Sequence, residues 1–154
     1  MAKRIFLPGD DPALRKKSRE VTVFDGKLHQ LLDDMYDTMT AAEGVGLAAV
    51  QIGILRRAVI IDIDKRIELI NPVIAEESEE MITASEGCLS FPKESGLVPR
   101  PKKVIVTAQD RHGDPITVTG EELLARALCH EIDHLEGIVY QDKAVEMHKP
   151  EEDE

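Results

Sequence analysis

Residues 130–134 read His-Glu-Ile-Asp-His. On a helix, side chains four apart lie one turn apart on the same face, so both imidazoles can point at one metal ion. Glu131 follows the first histidine, which puts its carboxylate within reach of a water on that metal. This is the H-E-x-x-H arrangement of metal-dependent hydrolases. A catalytic metal site has three protein ligands and one open position, so a third ligand must come from elsewhere in the chain.

Two cysteines compete for that place, Cys88 and Cys129. Cys129 precedes His130 by one residue and so points about 100° away around the helix; it reads as a packing residue. Cys88 lies in Glu86-Gly87-Cys88-Leu89-Ser90, beside a glycine that lets the backbone approach a ligand. One thiolate and two imidazoles make an open, three-ligand tetrahedral set. A third chemical stretch is Gly44-Val45-Gly46-Leu47-Ala48-Ala49-Val50-Gln51. Its glycines offer a backbone rail and Gln51 an amide donor. It is not a phosphate loop, because no Lys-Ser/Thr follows the glycines.

The elements that must hold these stretches can be read from period and punctuation. Leu28, Leu31, Leu32, Met35 and Met39 recur at three- and four-residue intervals and predict a helix from Asp25, its N-cap, to Ala42. Gly44 and Gly46 end it. Residues 57–64 and 68–74 are rich in β-branched residues and predict two strands about a Lys65-Arg66 turn. Further strands are expected at 80–85, 102–109 and 115–119, the last two joined by an Arg111–Asp114 hairpin turn. The metal-binding helix is predicted to start near Thr119, from a Thr119-x-x-Glu122 capping box, and to end at Gly137. A short strand is expected at 138–140. The first 24 residues read as an irregular arm with a short helical piece. The class is α+β: antiparallel or mixed sheets packed around the metal-binding helix, with an N-terminal helix.

The chain has 154 residues, which predicts one catalytic domain over 1–148 and an acidic, disordered tail over 149–154. Its net charge of −11 argues against specific nucleic-acid binding through a basic field. The bases near the start (Lys3, Arg4, Arg15, Lys16, Lys17, Arg19) read as a solvated surface. No apolar run reaches the ~18 residues of a membrane span, and none resembles a signal peptide. Two cysteines imply no disulfide framework, so a reducing cytosol is expected.

Taken together, G-x-G-L-A-A-x-Q, E-G-C-L-S and H-E-x-D-H, in that order, resemble the peptide deformylase family, as does Val98-Pro99-Arg100 after the second motif. The resemblance spans roughly residues 5–145. It implies hydrolysis of the formyl group from N-formylmethionyl nascent polypeptides, with release of formate. It also implies Cys88, His130 and His134 as ligands of one divalent metal ion. That ion would be Fe2+ in the cell, with Zn2+, Ni2+ or Co2+ able to occupy the site. Glu131 would be the general acid/base, while Gln51 and the Leu89 N–H would hold the formyl oxygen. Val45, Gly46 and Gly87 would pair with the extended peptide. Leu123, Arg126 and Ala127, helped by Val45, would line the methionine pocket. Glu86, Asp133 and Arg100 are candidates to orient the ligands. A formylated substrate implies the bacterial cytoplasm and leaves room for a transient ribosome contact, although the few charged residues after Tyr140 do not predict a long terminal helix.

Two other readings are weaker. A zincin of the H-E-x-x-H-x-x-G-x-x-H kind would need a third histidine where Tyr140 stands, and a phenol with pKa near 10 is a poor ligand. A closed structural site would need a fourth protein ligand, and none is evident.

Overall fold

The computed structural model describes residues 4–148. A 3-10 helix (Pro12–Arg15) precedes helix α1 (Gly26–Ala41). The next elements are β1 (Gly46–Ala48), a 3-10 turn (Ala49–Ile52), β2 (Ala58–Asp62) and β3 (Arg66–Glu77). Strands β4 (Met81–Cys88), β5 (Phe91–Pro101), β6 (Lys103–Gln109) and β7 (Pro115–Glu121) lead to helix α2 (Leu123–Leu135). A 3-10 turn (Tyr140–Asp142) and β8 (Glu146–His148) follow. The strands form a five-stranded sheet, β1-β2-β3-β6-β7, and a three-stranded sheet, β4-β5-β8. Every pairing between these strands is antiparallel.

The larger sheet is filled on both faces. Ala58, Val59, Ile60 and Ile61 of β2 are all fully buried. Alternate strand residues face opposite sides. Ala58 and Ile60 therefore join the α1 stripe (Leu28, Leu32, Met35, Met39), while Val59 and Ile61 join Leu128, Ile132 and Leu135 of α2. Each Val, Ile, Leu or Met side chain among these contributes roughly 1.5–3 kcal/mol by leaving water. Asp25 caps α1 by accepting from Leu28 N at 3.1 Å.

Several elements depart from the sequence expectation. Helix α2 begins at Leu123, and Thr119 lies in β7 opposite Ile105. The ladder from Lys103 to Gln109 claims residues through Glu121, so the local capping signal loses to strand pairing. Glu122 makes the corner at φ 54, with no side-chain cap. The helix does stop as expected, with Gly137 at φ 76. Residues 138–140 form no strand. Val139 and Tyr140 are buried and lead into a 3-10 turn, and the last described strand is β8. Strand β5 was not expected: Pro92, Gly96, Pro99 and Pro101 hide it. The expected tail at 149–154 and Lys3 lie outside the described residues. Of the remaining N-terminal bases, Arg4 pairs with Asp34, Arg15 with Asp142 and Lys17 with Glu136.

Candidate active site

Cys88 is the last residue of β4, where the chain turns back at Leu89 and Ser90 so that Cys88 opposes Phe91. A register shift between Glu86 and Cys88 re-aims the strand end. The hairpin tip thus reaches α2, whose buried face carries His130 and His134, 8% and 1% exposed. Cys88 Sγ lies 3.4 Å from His134 Nε2. One ligand atom from each of Cys88, His130 and His134 falls within a cluster no wider than 4.8 Å. A thiolate and two imidazole nitrogens suit a borderline-soft divalent ion, with room for an exogenous ligand. The ligands adjoin a cavity of about 540 Å3.

His130 is held from behind, whereas His134 Nδ1 is buried with no hydrogen-bond partner among the described residues. His130 Nδ1 is 2.8 Å from Glu86 Oε1, which commits that nitrogen and leaves Nε2 for a metal. Glu86 in turn accepts from Arg100 at 2.8 and 3.0 Å and from Arg126 at 2.6 Å. Arg100 also donates to Asp133 at 2.6 Å, and Lys143 donates to Asp133 at 3.1 Å. Tyr140 lies almost parallel to the His130 ring, with centroids 6.0 Å apart. It stacks on His130, and the cluster of candidate metal ligands takes Cys88 rather than Tyr140.

Gln51 lines the same cavity beside Cys88. Its Oε1 accepts from Ala48 N at 3.0 Å, which fixes the amide so that Nε2 points at Ser90 Oγ (3.3 Å) and Cys88 Sγ (3.4 Å). Glu131 is buried on α2, and its Oε1 has no hydrogen-bond partner among the described residues.

The electrostatics separate these groups. Burial raises the Glu131 carboxyl to about 7, a value suited to carrying a proton near neutrality. Burial works against ionised Glu86, but hydrogen bonds from His130 and Arg100 more than offset it and hold the group at about 2. Burial also lowers His130, yet Cys88, Glu131 and Glu86 outweigh that and lift it to about 10. Burial, reinforced by His130 and Arg100, takes His134 down to about 3. Without metal, one imidazole is therefore neutral and ready while the other must lose a proton before it can ligate.

The comparisons bear on what this arrangement does. A model of the polypeptide deformylase family matches residues 3–150. The chain belongs to that family. It is 54% identical over 146 residues to a peptide deformylase of Acetivibrio thermocellus, covering 94% of this chain and 85% of the relative. It is 54% identical over 153 residues to one of Caldicellulosiruptor bescii, covering 99% and 92%. The solved peptide deformylase of Thermotoga maritima superposes with TM-score 0.92 at 36% identity, over 94% of this chain and 99% of that one. That of Legionella pneumophila gives 0.90 at 44% identity, over 92% and 86%. The protein is a metal-dependent hydrolase that removes the formyl group from N-formylmethionyl peptides.

Within this deformylase, the cavity gathers nearly all the residues singled out in the sequence. Val45, Gly46, Gln51, Gly87, Cys88, Leu89, Leu123, Arg126, Ala127, His130 and Glu131 line it, and His134 lies behind. Arg126 spends its guanidinium on Glu86, Val98 O and Ile82 O, which leaves its aliphatic stem to the wall. Cys129 packs in the core, and burial raises its thiol to about 11. The sequence pattern assigns no role to Ser90, which receives the Gln51 amide, to Tyr140, which it only excludes as a ligand, or to Lys143, which pairs with Asp133; of these Ser90, within E-G-C-L-S, carries a usable sequence cue. No helix among the described residues is long and apolar enough to cross a membrane.

Proposed function

We propose that Cys88, His130 and His134 hold one divalent metal ion, ferrous iron in the cell, which zinc, nickel or cobalt can replace in the isolated protein. The support is the convergence of their ligand atoms within 4.8 Å beside a cavity that also presents Glu131 and Gln51. When bound, the ion acts as a Lewis acid on the formyl carbonyl and makes water nucleophilic near neutral pH.

The chain's own residues do the rest. Glu131 takes a proton from the attacking water and delivers it to the leaving amine, so that formate and a free amino-terminal methionine result. Gln51 Nε2 and the Leu89 N–H donate to the formyl oxygen as it gains negative charge. The backbone of Val45, Gly46 and Gly87 pairs with the extended peptide. Leu123, Ala127, Val45 and the Arg126 stem receive the methionine side chain. Residues 1–148 act as one catalytic domain. The reaction belongs in the bacterial cytoplasm, where a transient ribosome contact would bring the enzyme to nascent chains.

The test is formate release from a formyl-Met peptide under anaerobic conditions, with and without added ferrous ion. Activity is expected to follow ferrous loading. The Glu131→Gln variant is expected to keep its metal and lose about 10²–10⁴ in turnover. Full turnover in that variant would remove Glu131 from the role.

A further inference from the structure

Gly46 opens β1, where it pairs with Ile61 of β2, and the preceding carbonyl of Val45 accepts from Asp62 N at 2.8 Å. Its φ lies outside the left-handed region, so its backbone suits any residue. Space is what it lacks. A Cβ at position 46 would stand 2.6 Å from Glu131 Oε2 and 3.1 Å from Glu131 Cδ and Cγ. At Gly87, on the same cavity wall, the nearest atom would be Glu94 O at 3.6 Å, an ordinary contact. At Gly44, also lining the cavity, a Cβ would meet the Leu89 side chain at 2.7 Å, so of these three glycines only Gly46 crowds Glu131.

Something must yield if a side chain is added at 46. Strand β1 is pinned: Leu47 and Ala48 are fully buried, and β1 is hydrogen-bonded to β2. The Glu131 carboxylate is the far end of a side chain with rotatable bonds, and its Oε1 is tied to no protein group among the described residues. The carboxylate gives way at little cost to the fold. We infer that Gly46 is a positioning residue: by lacking a side chain, it keeps open the place where Glu131 stands against the cavity. This rests on Glu131 as the proton carrier.

The experiment is Gly46→Ala in the ferrous- or cobalt-loaded full chain. The expected result is a fall in kcat of about 100-fold or more, with KM within about threefold. Metal content and Tm should match the parent, and a crystal structure of the variant should show Glu131 in a different rotamer. Glu131→Asp shortens the acid by one methylene and removes the 2.6 Å contact, the tightest of the three. In that background Gly46→Ala is expected to cost less than about tenfold. A parental kcat, a rise in KM alone, an equal loss in both backgrounds or an unmoved Glu131 would each overturn the inference. So would a large fall in Tm, since β1 rather than the carboxylate would then have given way. Full activity of Glu131→Gln tests the underlying reading separately.

Discussion

Replacing Arg100 by methionine removes the cation at the centre of the buried cluster behind the metal ligands. The Arg100 side chain is 3% exposed and binds Glu86 and Asp133, whose side chains are 4% and 12% exposed. After the change, Glu86 keeps Arg126 and His130, and Asp133 keeps Lys143. Breaking a buried ion pair from one side costs about 3–5 kcal/mol when the remaining charge is uncompensated, so with these partners retained that range is an upper bound. At about 2–4 °C per kcal/mol for a chain of this size, Tm should fall by more than about 2 °C and by no more than roughly 20 °C. The acid limb should move as well. Glu86 is held at about 2 against an ordinary 4.5. Its depressed value contributes stability that is fully present above about 4.5 and is lost as pH falls through about 2, roughly 3 kcal/mol in all. Without Arg100 the Glu86 value rises, so acid unfolding should begin at higher pH. Calorimetry of parent and Arg100→Met from pH 7 to pH 3 reads both effects. A Tm within about 2 °C of the parent, with an unchanged acid limb, would refute the view that this cluster is held by charge.

Three further outcomes follow from the site. Gln51→Leu removes a donor already aimed at the cavity and should lower kcat by about 10²–10³ while formyl-peptide KM changes little; kinetics at saturating substrate check it. His130 holds a proton up to about 10 in the metal-free protein, so metal must displace that proton. Apparent affinity should therefore weaken at least about tenfold for each pH unit lost between pH 8 and pH 6, and more steeply where the Cys88 thiol also gives up a proton. Competition with a chromophoric chelator measures this, and a flat profile contradicts it. Cys129→Ser places a hydroxyl in an apolar core and should cost about 1–3 kcal/mol with metal content intact, whereas Cys88→Ser should strip the metal; elemental analysis beside thermal melts separates the two.

The chemistry was legible because it is local. His130 and His134 share a helix face by spacing alone, and E-G-C-L-S and G-x-G-L-A-A-x-Q lie in short runs. Helix α1 was legible from its apolar stripe, and its Asp25 cap is in place. Other features depend on partners distant in sequence. Thr119-x-x-Glu122 reads as a helix start until β6 pairs with it. Strand β5 carries three prolines and a glycine, and gains its ladder from β4 and β8. The stacking of Tyr140 on His130, and the Gly46 contact with Glu131, arise only where α2 meets other segments.

The three proposed ligands come from two different layers. Cys88 ends a strand of the three-stranded sheet, while His130 and His134 ride on the helix packed against the five-stranded sheet. An ion shared among them would be a clasp between those layers, closing a loop of more than forty residues. Such a clasp favours the folded chain by mass action, about 2.7 kcal/mol at a hundred times Kd. Amide hydrogens along β4 and β5 should then exchange more slowly when metal is present, so loading can be followed by exchange before any substrate is added.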